Sequence, residues 1–299
     1  MVVQRLAIAG DLHGQWDGSD VDLLTLLAPD ALLVVGDLHD GQERIAASLG
    51  KLTLPLACIL GNHDTGRDAS GRTLQRQLDH LGDRHCGWGR CQLDPPGLAV
   101  VGGRPCSPGG GYHLSDPVRA IWGPVSREES TERILSAALA APLELPLVFL
   151  SHAGPSGLGS LAADLCGRDW KSPARDWGDQ DLSEAIAQVR RHRPLPLVVF
   201  GHMHHRLWLG QGERRSFQID RGGTAYLNAA SVPRHGTDEQ GRRLRHFSWV
   251  ELSGGQLLHA SHRWYGLDGR LLYQQRLHQR AAQPAPPSES SLEAQPLPC

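Results

Sequence analysis

Short apolar runs alternate with amphipathic stretches through the first two thirds of the chain. Residues 5–10, 31–35, 54–60, 98–101, 145–150 and 195–200 are dominated by Leu, Val, Ile and Ala, and each reads as a buried strand. The intervening stretches carry helical periodicity. Residues 20–28 place Val21, Leu23, Leu24, Leu26 and Leu27 before Pro29, which stops a helix. A second helix sets Ile45 and Leu49 on one face and ends at Gly50. The spacing predicts a third over 70–81, with Ser70 as cap, Leu74, Leu78 and Leu81 inward and Gly82 after its end. Residues 126–141 open on the capping box Ser126–Glu129, and residues 181–193 open on the pair Asp181 and Glu184. Further strands are expected at 224–227, 247–252 and 257–264, the last two joined by a Gly254-Gly255 turn. Residues 83–96 read as irregular, and 102–124, with Gly109-Gly110-Gly111, as a long surface loop. The pattern predicts one α/β domain over 1–280 and a disordered Pro- and Ser-rich tail from 281 to 299.

Composition narrows the picture. With 299 residues, 21% charged and 40% hydrophobic, the chain can bury a sizeable core. Its formal net charge of −2 comes from 30 basic and 32 acidic residues without a charged block. That leaves no electrostatic footprint for nucleic acid or an anionic membrane. No segment has the roughly eighteen apolar residues of a membrane span, and the N-terminus runs directly into a strand rather than a leader. A cytoplasmic protein is expected. Its six cysteines form no Cys-x-x-Cys pair and read as free, mostly buried thiols, although Cys86 and Cys91 are close enough to raise a metal or disulfide question. Trp88, Trp122, Trp170 and Trp177 fall in predicted loops, where core filling competes with a base-stacking platform.

The chemistry gathers at the strand ends. Five strands run into Asp11/His13, Asp37, Asn62/His63, His152 and His202/His204. Singly, each has a bland explanation: Asp37 as a helix cap, Asn62 as a turn former, His152 as a satisfied core histidine. Together they supply carboxylate, amide oxygen and imidazole donors where open α/β sheets bind ligands. A site for two metal ions also needs one carboxylate shared between them, and the set contains no thiolate.

The ordered series Asp11-x-His13, Gly36-Asp37, Gly61-Asn62-His63-Asp64, His152 and Gly201-His202-x-His204 resembles the calcineurin-like metallophosphoesterase superfamily. The resemblance implies a four-layer α/β sandwich, two mixed β-sheets flanked by helices, with the metal site at the strand ends. It implies two divalent ions (manganese, iron, zinc or nickel), one held by Asp11, His13 and His204, the other by Asn62, His152 and His202, with Asp37 bridging. The implied activity is hydrolysis of phosphate mono- or diesters by metal-activated hydroxide, with His63 as general acid. Asp40 would orient His63, and Asp64 is the alternative for that task.

The series departs from the protein serine/threonine phosphatase branch. There the second motif continues with Arg-Gly and the third ends in Glu, whereas here Gly41-Gln42 and Asp64 stand in those places, and His204 has no counterpart in that branch. A small phosphorylated substrate is therefore expected. Arg104, His113 and Arg119, in the 102–124 loop with Tyr112, are candidate substrate contacts if that loop is a lid. His39, His205 and Arg206 neighbour the ligand motifs, and Asn228 ends a later strand. Two rival readings are a nuclease of the same superfamily, which would want a basic channel, and a non-catalytic binding scaffold, which would be expected to lose ligands.

Overall fold

A computed structural model describes residues 2–208 and 212–281. All but the first residue of the expected tail lies outside the described residues. The predicted strands form where the apolar runs fall: β1 (Val3–Ala9), β2 (Ala31–Val34), β3 (Leu56–Cys58), β5 (Leu98–Gly102), β6 (Leu147–Leu150), β7 (Leu197–Phe200), β9 (Ala225–Asn228), β11 (Arg243–Ser253) and β12 (Gln256–Gly266). Four strands escape the sequence pattern: β4 (Arg90–Leu93), β8 (Phe217–Ile219), β10 (His235–Thr237) and β13 (Leu271–Gln279). Of these, β4, β8 and β13 are edge strands and β10 pairs only with β11. Their burial is partial, so the apolar content that marks a buried strand is absent. Helices are α1 (Gly18–Leu27), α2 (Glu43–Gly50), α3 (Arg72–Leu81), α4 (Asp116–Trp122), α5 (Arg127–Leu139) and α6 (Gln180–Val189).

The strands make two mixed sheets. One runs β13-β12-β11-β1-β2-β3 with β10 on β11, the other β4-β5-β6-β7-β9-β8. In each, the strands that carry the polar turns are parallel: β1 with β2 and β2 with β3, and β5, β6, β7 and β9 in succession. Alternation along the strands divides the core in two. Leu6, Ile8, Leu33, Val35, Val100, Val148, Leu150, Val199 and Leu227 pack into one cluster that joins both sheets. Their neighbours Ala7, Ala9, Leu32, Val34, Val101, Phe149, Val198 and Phe200 pack with helical residues such as Leu23, Ile45, Leu74, Ile134 and Ile186. A sheet covered on both faces explains why β2, β6 and β7 are apolar at every position rather than alternating. The result is the expected four-layer α/β sandwich.

Helix signals are mostly met, with two changes of role. Ser126 accepts from the Glu129 backbone N–H at 3.1 Å, as a cap should. Asp181 is instead buried inside α6, and Gly71 rather than Ser70 precedes α3. Residues 102–124 are not a loose surface loop. Most of 102–107 is buried, α4 forms, and Arg104 is 1% exposed. Its guanidinium pairs with Asp179 at 2.5 Å and Asp181 at 3.1 Å and donates to the carbonyls of His113 and Gly111. The ring of Tyr112 lies beneath it. Arg104 therefore fastens the segment to the start of α6. The five described cysteines are all free and buried, so Cys86 and Cys91 form no disulfide. No described helix is long and apolar enough to cross a membrane.

A second buried charge group ties the turn after β1 to the other side of its sheet. Asp20 on α1 pairs with Arg234 at 2.7 Å and His235 at 3.1 Å, and Arg245 approaches at 3.6 Å. Arg234 also donates to the Gln15 carbonyl and is sandwiched by Trp16 and Phe247. Burial alone would raise the Asp20 carboxyl, but the His235 hydrogen bond and the Arg234 charge outweigh it and hold it down at about 2. A depressed carboxylate stabilises the fold above its unfolded value near 3.8, and that stability disappears as pH falls through about 2. The shift corresponds to roughly 2 kcal/mol. Asp20→Asn should cost about 3–5 kcal/mol in urea denaturation at pH 7, because Arg234 is left buried without its countercharge. The gap from wild type should narrow between about pH 4 and pH 2. Equal stability at pH 7 would show that the pair carries nothing.

Candidate metal centre

Parallel neighbours put their C-terminal ends side by side, and here both sheets deliver those ends to one edge of the sandwich. The turns are cross-laced by backbone hydrogen bonds. His13 N–H donates to the Asp37 carbonyl and Gly14 N–H to that of Leu38, each at 2.7 Å, and Gly201 N–H donates to that of His152 at 2.9 Å. His13, Asp37, Asp40 and His202 take left-handed backbone angles, with φ of 41°, 47°, 45° and 66°. Non-glycine residues held there cost on the order of 1–3 kcal/mol each, and such strain gathers at functional sites. Two glycines are demanded by close approach. A Cβ on Gly61 would strike the Asp37 carboxylate and the His152 ring, and one on Gly201 would strike the Asp11 carboxylate and Val35.

Two groups of potential ligands result, Asp11/His13/His204 and Asp37/His152/His202, the donor atoms of each lying within 4.8 Å of one another. His13 Nε2 is 3.1 Å from His204 Nε2, and His204 Nε2 is 3.3 Å from Asp11 Oδ2. Asn62 Oδ1 lies 3.0 Å from His152 Nε2, which joins it to the second group. Asp37 faces both groups: Oδ1 is 3.3 Å from His152 Nε2 and Oδ2 is 3.8 Å from His13 Nε2. The two sheets are stitched together here. Asp11, from one, accepts the His202 N–H of the other at 3.0 Å, and His152 Nδ1 donates to the Val35 carbonyl at 2.8 Å. That second bond leaves His152 Nε2 as the atom that faces the site. A third group, Asp17, Asp20 and His235, is also close-set, but Arg234 and Arg245 already neutralise it.

The electrostatics are those of anions and imidazoles crowded out of water. Burial works against charge on Asp37, yet His152, His63 and His202 hold its carboxyl far below the usual range. Burial likewise opposes the His152 imidazolium, but Asp37 pushes it up to about 10. Burial drops His202 to about 4, and its Nε2 is buried without a partner. An orphaned imidazole nitrogen aimed at carboxylates fits a cation, which would pair with His202 and displace the proton from His152.

The residues around the groups have distinct tasks. His63 Nδ1 meets Asp40 Oδ1 at 2.8 Å, with the two side chains 49% and 69% exposed. Asp64, the alternative partner, is fully buried and serves elsewhere. Its carboxylate accepts from Leu38 N–H at 2.7 Å, Gly61 N–H at 2.8 Å and His39 N–H at 3.3 Å. Asn228 does not reach the ligands. Its side chain donates to the Met203 carbonyl at 2.7 Å and its backbone carbonyl meets His205 Nε2 at 3.0 Å, which shapes the His202–His204 turn. The expected substrate contacts are not gathered here. Arg104 is buried and saturated, Arg119 is exposed on α4 beside Asp116, His113 is exposed with its carbonyl on Arg104, and none lines the cavity over the ligands. That cavity, of about 510 Å³, is lined by Asp37, His63, His202, His204, Asp169, Trp170, Met203, Arg206, Trp208 and Arg214. Asp169, Trp208 and Arg214 carry no mark in the sequence pattern, and Trp170 reads there as core filling ahead of a base-stacking platform. The available signal is the run Arg168-Asp169-Trp170-Lys171, an aromatic among charges in an otherwise small-residue connection.

Comparisons with known proteins bear on the fold and the family. No curated protein matches the chain in sequence. A dimetal phosphatase from Danio rerio superposes with a TM-score of 0.50 at 12% identity, covering 92% of this chain and 99% of that one. A hypothetical protein from Thermus thermophilus gives a TM-score of 0.48 at 14% identity, covering 88% and 99%. At such identities the first likeness speaks for the fold alone. The calcineurin-like phosphoesterase profile matches residues 4–206, which include all five strand-end motifs, and the chain belongs to that family.

Proposed function

We propose that the protein is a dinuclear-metal-dependent phosphoesterase acting on a small phosphorylated substrate. The observation that carries the reading is the two-sided placement of Asp37, whose carboxylate oxygens face separate ligand groups. In this reading Asp11, His13 and His204 hold one divalent ion, Asn62, His152 and His202 hold the other, and Asp37 is shared. Oxygen and nitrogen donors of this kind suit manganese, iron, zinc or nickel. When bound, such ions supply Lewis acidity toward phosphate oxygens and acidify water.

The chain's own groups account for the rest. His63 stands at the cavity wall with Nδ1 against Asp40, so Nε2 is left to face the leaving oxygen and donate its proton. Arg206 lines the same cavity, is exposed, and has no ion-pair partner among the described residues, so its guanidinium is available to a phosphate oxygen. The direct test is a panel of phosphate mono- and diesters assayed on metal-free protein with each metal restored. Hydrolysis that requires metal supports the reading, and none with any metal refutes it.

Three outcomes follow for variants. Asp37→Ala should lose both ions in titration calorimetry, whereas His204→Ala should weaken one; equal losses would speak against a shared carboxylate. His63→Ala should keep both ions, lose roughly 10²–10⁴-fold on an alkyl phosphate and far less on a nitrophenyl ester, whose leaving group needs no proton. Equal slowing of both esters would make His63 a binding group. Arg206→Ala should raise KM about tenfold with little change in kcat or metal content, and an unaltered KM would remove it from the substrate's path.

A further inference from the structure

The cavity over the ligand groups is polar on one wall and aromatic on the other. Trp170 and Trp208 line it, and both rings are open to water, Trp208 at 81% exposure and Trp170 at 39%. Two indoles left open to water at the mouth of a polar site are a surface without a partner. Trp170 is held through its ring and Trp208 through its backbone. Trp170 is braced edge-on by Trp177, with ring centroids 5.2 Å apart at 78°. Trp177 is in turn fixed by its Nε1 donating to the Pro108 carbonyl at 2.9 Å, with Arg168 and Arg175 over its ring. The backbone N–H of Trp208 donates to the Asp169 carboxylate at 2.5 Å, and Asp169 pairs with Arg214 at 3.3 Å.

Arg214 is the hub. Its guanidinium is buried and donates to the carbonyls of His204, Ala162, Asp164 and Gly167. The loop that bears both Asp169 and Trp170 and the segment that bears Trp208 are thus tethered to the turn that carries His204. The backbone that carries each indole is thereby tied to the turn that carries the ligand His204.

We propose that Trp170 and Trp208 form a ring-binding subsite and that the natural substrate is a phosphate ester whose alcohol portion carries a planar aromatic or heteroaromatic ring. This rests on the phosphoesterase reading and names its substrate class. Indole faces carry a quadrupole that favours another π-system over an aliphatic group of equal volume. Stacking of this kind tolerates varied rings because every one presents a face. With phosphate over the ligand groups, the ring lies against the indoles and Arg206 flanks both.

The test compares 2-phenylethyl and 2-cyclohexylethyl phosphates, each as monoester and as methyl diester, on metal-reconstituted protein. Linker and alkoxide leaving group are the same, and only one ring is aromatic. Wild type should favour the phenyl ester about tenfold in kcat/KM. Trp208→Ala should bring that ratio near unity through KM, and Trp208→Phe should restore most of it. Trp208 is the decisive position because its exposed ring supports little else, and Trp170→Ala should act in the same direction. Titration calorimetry with the matching phosphonates reads the subsite without turnover. Hydrolysis of both esters with no preference, or a preference untouched by Trp208→Ala, overturns the subsite while the phosphoesterase reading stands. If no ester is hydrolysed, that reading fails, and the phosphonates still decide: tighter binding of the phenyl compound that depends on Trp208 upholds the ring subsite, and equal binding overturns it.

Discussion

A single buried carboxylate holds the turns on which everything else depends. Asp64 accepts backbone N–H groups from Leu38, His39 and Gly61, so the turn after β2 and the turn after β3 share one anion between them. The return bond runs from His63 N–H to Asp37 Oδ1 at 2.9 Å. Burial and the nearby charge of Asp37 push the Asp64 carboxyl up to about 7, against the pull of its backbone donors. Such a lock would be hard to replace by packing, because each buried N–H would be left without an acceptor. It sets Asp37 at left-handed φ, it sets Asn62 beside His152, and it leaves His63 turned outward to Asp40.

The fold brings the remaining groups to that lock by symmetry of construction. Each sheet contributes parallel strands, and their C-terminal ends meet at one edge. The contacts that join the sheets there are polar: His202 N–H to Asp11, and His152 to the Val35 carbonyl. Farther out, Arg104 and Arg234 act as buried fasteners, one for residues 102–113 against α6, the other for the turn after β1. Both are held by carboxylates and carbonyls, which is the condition for a buried arginine to be tolerated.

Much of this is legible in the sequence, and the reason is local. Apolar runs that stop at a glycine and a polar pair announce a strand end whatever the surrounding fold, so the turns at Asp11, Asp37, Asn62, His152 and His202 can be read one by one. The ligand grouping follows from their resemblance as an ordered set. What cannot be read depends on partners distant in sequence. Arg104 sits in a glycine- and proline-rich stretch that looks solvated, and it is buried because Asp179 and Asp181, 75 and 77 residues away, are waiting for it. Strand β13, with Gln274, Gln275 and Arg276 at its centre, has no alternation because it is an exposed edge that pairs only with β12. Trp170 reads as core filling ahead of a stacking platform, since nothing local says that its ring opens toward a cavity shared with His202, His204, Arg206, Trp208 and Arg214.

The central claim is that Asp37 serves two cations at once. Anomalous diffraction from crystals of the manganese-reconstituted protein tests it most directly. The account predicts two peaks on opposite sides of the Asp37 carboxylate, one contacted by Asp11, His13 and His204, the other by Asn62, His152 and His202. A single peak, or two of which only one touches Asp37, would contradict it.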